Sequence, residues 1–206
     1  MQSAKEHFEQ NIVRVKNLGY LHQTISVEIT NNLDSSDILR AQYVMLISAL
    51  DYFIHEIIRI GILQIYNKER KPTHEFKKFI FSTDQETLLN KAILEEKNDT
   101  WLDYQIRVRN GFKSFQQADK IKEALLLIDS SDIWEKIATL LNENKDDLKN
   151  RLNLIIERRN QIAHEADIEP TYKELREIEA EDVDDSITFI EKIVTAISDV
   201  VMEGIL

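Results

Sequence analysis

The chain has 206 residues, 43% apolar and 31% charged, with four Gly, two Pro and no Cys; this suits one domain with a sizeable core and excludes a disulfide framework, a thiol nucleophile and a Cys-ligated zinc. A net charge of −11 disfavours general nucleic-acid binding, because phosphate backbones select basic surfaces. No apolar run is long enough to span a membrane, and the mixed-charge start MQSAKEHFEQ has no signal-peptide core, so a soluble, cytoplasmic protein is expected.

The apolar periodicity is helical almost throughout. A first helix is predicted from about Ala4 to Thr30, with Phe8, Ile12, Val15, Leu18, Ile25 and Ile29 at three- and four-residue steps. Asn31-Asn32 and Asp34-Ser35-Ser36-Asp37 break it and offer caps for the next. The following segment, Asp37 to about Tyr66, is apolar on most faces and reads as the buried central helix of a bundle. Lys68–Lys71 ends it, and Pro72 suits the first turn of a short helix in THEFKKFIF. Thr83 and Glu86 have capping-box spacing before a helix over Leu88–Glu96. Shorter helices are predicted over Trp101–Val108, Lys120–Ile128 and Asp132–Leu141. A periodic helix from Asp146 to about His164 ends before Pro170 drives the chain out of helical geometry. Asp184–Val201 forms the last helix. The expected fold is an all-α, single-domain helical bundle over 1–206, with shorter helices inserted in the middle.

Charge is unevenly placed along these elements. Glu165–Asp185 holds ten acidic residues against two basic ones, whereas Lys145–Arg159 holds five basic residues against three acidic ones. A small basic site on an acidic protein therefore remains open. There is no Gly-rich phosphate loop, HExxH, GxSxG or EF-hand loop, and the five scattered histidines show no convincing ligand spacing, so no metal or cofactor is expected.

One stretch carries candidate chemistry: Arg158-Arg159-Asn160-Gln161-Ile162-Ala163-His164, at a helix end. An arginine fork suits phosphate oxygens, and histidine suits proton transfer near neutral pH. Together they meet the needs of metal-free RNA cleavage, in which a 2′-hydroxyl loses a proton, attacks its own phosphate and generates charge that must be stabilised. On one helix a five-residue step turns about 140° past a full revolution and rises about 7.5 Å. Arg159 and His164 of one chain are thus not direct neighbours, and two such helices across a two-fold axis would complete a site. The plainer reading is that the arginines favour a helix C-terminus electrostatically and His164 merely ends the helix.

RRNQIAH, preceded by the amphipathic LKNRLNLIIE and followed by an acidic loop with Pro170, resembles the HEPN superfamily of helical nucleic-acid-associated domains. Its signature is Arg, four to six residues, then His, usually with a polar residue straight after the Arg; Arg159, Asn160 and His164 fit it. The segment LRAQYVMLISALDYFIHEIIR resembles the first long core helices of the defence-associated RiboL-PSP-HEPN branch, which extends the resemblance from about Asp37 to the C-terminus. It implies a metal-independent endoribonuclease, a toxin or antiphage-defence effector, that acts as a homodimer and leaves a 2′,3′-cyclic phosphate and a 5′-hydroxyl. His164 would transfer protons, Arg159 would hold the scissile phosphate and Asn160 would orient one of them. Arg158, with no fixed place in the pattern, is assigned to substrate backbone contact. The superfamily's small toxins that are silenced by a nucleotidyltransferase partner carry Tyr two residues after the His, where this chain has Ala166. That departure puts this mode of silencing in doubt, although an antitoxin or defence-system partner of another kind is compatible with the resemblance.

Two other classes compete with the nuclease: a non-catalytic HEPN-like module that binds RNA or protein, and a helical scaffold without nucleic-acid contact. Elsewhere, Asp51 and His55 lie one turn apart and read as a buried polar pair that could line a cleft if it faces Arg159. Arg40 and Arg59 are expected to face solvent. Arg107-Val108-Arg109-Asn110 mimics half of the motif but lacks a following His. Trp101, Tyr104 and Phe112 read as core, and the C-terminal apolar stripe as either core or dimer surface.

Overall fold

The computed structural model describes residues 1–28, 34–79 and 99–204. Among these, eight helices form an all-α fold: α1 (Gln2–Glu28), α2 (Ser36–Tyr66), α3 (His74–Lys77), α4 (Thr100–Asn110), α5 (Ala118–Leu125), α6 (Ile133–Leu141), α7 (Lys145–His164) and α8 (Ala180–Met202). The long predicted helices match within a few residues, except that α8 begins four residues before Asp184. Ile29, Asn31-Asn32 and the helix expected over Leu88–Glu96 lie outside the described residues.

α2 is the axis of the bundle because it presents apolar side chains all round. Leu46, Ile47, Leu50, Phe53, Ile54, Ile57, Ile58 and Ile62 are fully buried, and α1, α4, α5, α7 and α8 pack around them. The N-terminal half of α1 seats Ala4, Phe8, Ile12 and Val15 on this core, with Phe8 meeting Phe53 edge-on at 5.9 Å between ring centroids. Its second half is shallower: Leu18 and Ile25 are half-buried and Tyr20 and Val27 are exposed. Ile187, Ile190, Ile193, Val194 and Ile197 of α8 are all buried, so the C-terminal stripe is core.

Loop ends are tied by buried polar groups. Arg70 donates to the carbonyls of Val201 (2.6 Å) and Ile128 (3.3 Å) and thereby joins the ends of α2, α5 and α8. Thr73 caps α3, its hydroxyl accepting the Phe76 N–H at 2.9 Å, so Pro72 precedes the cap and lies outside the first turn predicted for it. Trp134 donates its indole N–H to the Ala118 carbonyl at 2.8 Å, locking α6 to the start of α5.

Candidate active site

α7 carries the Arg–His motif, and its two ends are fixed by different means. At the start, the Asn144 side chain accepts the N–H groups of Asp146 (2.8 Å) and Asp147 (3.2 Å), and those two carboxylates favour the positive end of the helix. Leu148, Leu152, Ile155 and Ile156 then bury one face. At the far end the helix stops at His164, well before Pro170, because Ala166 and Asp167 both take left-handed backbone angles (φ 51° and 57°). Neither residue is a glycine, so this turn is held by tertiary contacts rather than by local preference.

Those contacts converge on Asp167, which is 1% exposed. Its carboxylate accepts Arg40 Nε at 2.7 Å and both terminal nitrogens of Arg158, and Arg176 Nη1 lies 4.0 Å away. Its carbonyl accepts the Arg176 N–H at 2.9 Å. Arg40 also donates to Ser36 Oγ (2.6 Å) and to the Arg176 carbonyl (2.7 Å). The expectation that Arg40 faces solvent is thus corrected: its guanidinium is buried because it crosses from α2 to the loop after α7. Arg59 is likewise drawn inward, donating to Glu56 (3.0 Å) and Asp103 (2.6 Å). Beyond Asp167, a small turn is closed by an Ile168–Leu175 bridge, while the Glu169 carboxylate accepts the N–H groups of Thr171 and Tyr172 at 2.7 Å each.

The motif residues separate into different environments. Arg158, predicted as a substrate contact, is held by Asp167 and by the Glu177 carbonyl (3.1 Å). Arg159 is half-buried and has no hydrogen bond or ion pair among the described residues. Burial lowers its guanidinium pKa, partly opposed by the field of Asp51 on α2. Asn160 lines a cavity of about 330 Å³ with Gln117, Asp119, Asn153 and Glu157. His164 is exposed in the last turn. No hydrogen bond joins Arg159, Asn160 and His164 among the described residues.

Asp51 and His55 form a polar bridge to the loop after α4. Asp51 accepts the Phe115 N–H at 2.7 Å. His55 Nε2 donates to the Lys113 carbonyl at 3.2 Å and lies 4.0 Å from Asp51 Oδ1, and its ring packs on Phe115 at 4.6 Å between centroids. Of the aromatic trio expected in the core, only Trp101 is buried; Tyr104 and Phe112 are exposed because they lie on the outer face of α4 and just past its end. Among the described residues, no group of three or more His, Asp or Glu side chains could hold a metal ion, and no helix is long and apolar enough to cross a membrane.

Sequence reasoning missed Asp167 and Arg176. Arg40 carried a usable signal, since it shares a seven-residue register on α2 with Ile47, Ile54 and Gly61, all buried. A charged residue in a buried register needs a buried partner.

A model of the RiboL-PSP-HEPN family matches residues 9–203. No curated protein and no solved structure matches the chain.

Proposed function

Because the chain belongs to the RiboL-PSP-HEPN family, within a domain class whose members are generally ribonucleases or RNA-binding proteins, we propose that it is a metal-independent endoribonuclease acting as a toxin or antiphage-defence effector. The observation that carries this reading is the division of labour between adjacent arginines. Arg158 is locked to Asp167, while Arg159 has no ion pair among the described residues and is partly desolvated, five positions before an exposed His164. A desolvated guanidinium without a carboxylate partner is suited to an incoming phosphate.

In this reading, imidazole nitrogen of His164 takes the proton from a ribose 2′-oxygen, which attacks the adjacent phosphorus. The bond from phosphorus to the 5′-oxygen breaks, and the leaving oxygen takes up a proton from an imidazolium at the same site. Arg159 neutralises the charge that builds on the phosphoryl oxygens, and Asn160 orients one of these groups. The products are a 2′,3′-cyclic phosphate and a 5′-hydroxyl. Since no hydrogen bond joins Arg159 and His164 within one chain, a homodimer supplies the missing half of each set. Exposed Leu154, Ile168, Tyr172 and Leu175, on α7 and the loop that follows it, give such an assembly apolar surface beside the motif. The test is cleavage of RNA in EDTA by the unmodified chain and by His164→Ala, with end-group analysis. Cyclic-phosphate ends from the first and none from the second are expected. Equal cleavage by both, no cleavage of any RNA tried, or a 3′-phosphate formed without a cyclic intermediate would overturn the reading.

The net charge of −11 favours one alternative, a non-catalytic RNA- or protein-binding module. RNA binding unchanged in His164→Ala, lost in Arg159→Gln and accompanied by no cleavage would single it out.

A further inference from the structure

The segment from Tyr104 to Ala118 (YQIRVRNGFKSFQQA) contains Arg107, Arg109 and Lys113 and no acidic residue. Arg107 is neutralised by Glu56 and Asp103. Arg109 and Lys113 have no ion pair among the described residues. Arg109 lies over the Phe79 ring at 4.5 Å, and Lys113 stands 6.0 Å from the Phe115 ring. Burial, and then the nearby Arg109 charge, hold the Lys113 ammonium below its usual pKa. Two neighbouring cations without a carboxylate partner among the described residues attract an anion.

Between them in the sequence lies Phe112, an aromatic ring with no folding role. Tyr104, Val108 and Phe112 recur at four-residue steps along the outer face of α4 and its end, and Phe112 is 96% exposed. A flat apolar ring presented to water, close in sequence to two cations that have no ion pair among the described residues, has the composition of a single-strand contact, in which a base stacks on the ring and adjoining phosphates meet the cations. The surface also adjoins the motif. The Lys113 carbonyl is held by His55 and the Phe115 N–H by Asp51, and the same loop ends at Gln117, which lines the cavity shared with Asn160, and at Ala118, whose N–H donates to Asn153 of α7 at 3.1 Å.

We propose that Phe112, Arg109 and Lys113 grip a single-stranded RNA segment beside the scissile phosphate, with one base stacked on Phe112. This rests on the ribonuclease reading above. Two cations within three positions of the ring, with no ion pair among the described residues, favour RNA over a protein partner for this stripe.

The test uses the full-length chain carrying His164→Ala, so that RNA is not consumed, and a fluorescent single-stranded oligoribonucleotide followed by anisotropy at low salt. Adding Phe112→Ala should weaken binding by about five-fold to a hundred-fold, whereas Phe112→Trp should retain it. Arg109→Gln with Lys113→Gln should weaken binding and flatten its dependence on log salt by roughly one unit. The substituted positions are at the surface, and an unchanged circular dichroism melt checks that the fold is intact. If the chain binds the oligonucleotide and the Phe112→Ala version binds it equally well, this contact is wrong and the stripe serves a protein partner; the ribonuclease reading then stands. A chain that neither binds nor cuts RNA overturns both.

Discussion

Replacing Asp167 by Asn keeps the shape of the side chain but removes the buried carboxylate that Arg40 and Arg158 share in the loop after α7. The Arg40 side chain is 8% exposed and the Asp167 side chain 1%, so solvent cannot take over the lost interaction. Asn offers a single acceptor oxygen, and its amide hydrogens oppose guanidinium donors that are 2.7 Å and 3.0 Å from the carboxylate in the native chain. Arg40 retains Ser36 Oγ, the Arg176 carbonyl and the solvent-exposed Asp37 carboxylate at 3.5 Å, which limits the damage, but an exposed carboxylate compensates a buried charge only weakly. Removing one partner of a buried pair costs about 3–5 kcal/mol. For a chain of this size, that corresponds to a melting temperature lower by roughly 6–20 °C. Urea unfolding followed by circular dichroism should show the midpoint fall with the slope unchanged. RNA cleavage should fall as well, measured where the variant is still folded, because the turn that follows His164 loses its anchor. A midpoint within about 1 kcal/mol of the unmodified chain would refute the argument that Asp167 holds this end of α7.

Further outcomes follow from the same structure. Gly61 sits where a Cβ would approach the branched Ile128 side chain to 2.6 Å, so Gly61→Ala should destabilise by about 1–3 kcal/mol through overpacking, read as a lower urea midpoint. Burial disfavours the charged form of Asp129, but hydrogen bonding from Ser131 and the charges of Lys136 and Arg70 outweigh it and hold the carboxyl below its ordinary range. Asp129 therefore adds stability that is present above about pH 4 and lost as pH falls through its depressed pKa. Asp129→Asn should lower the melting temperature at pH 7 and narrow its difference from the unmodified chain in more acidic buffer. His164→Ala should melt within about 0.5 kcal/mol of the unmodified chain, as expected for an exposed end-of-helix residue, which separates lost cleavage from lost folding.

The all-α architecture was readable because each long helix repeats its apolar residues at the helical period and two prolines leave few interruptions. The Arg159–Asn160–His164 motif was equally readable, being contiguous on α7, and so was the family that its setting on the helices resembles. Where α7 ends was not. Pro170 marks a stop in the sequence, but the helix ends at His164 because Asp167 is pulled into a buried group of arginines from α2, α7 and the following loop. Arg40 and Asp167 are 127 positions apart, and no local periodicity reports a pairing across that distance. The same holds for the inward turn of Arg59 toward Asp103 and for the outward Phe112. Local spacing records which face of a helix is apolar; which charged groups meet there depends on how the helices are brought together, since an ion pair is decided by distance and burial in space.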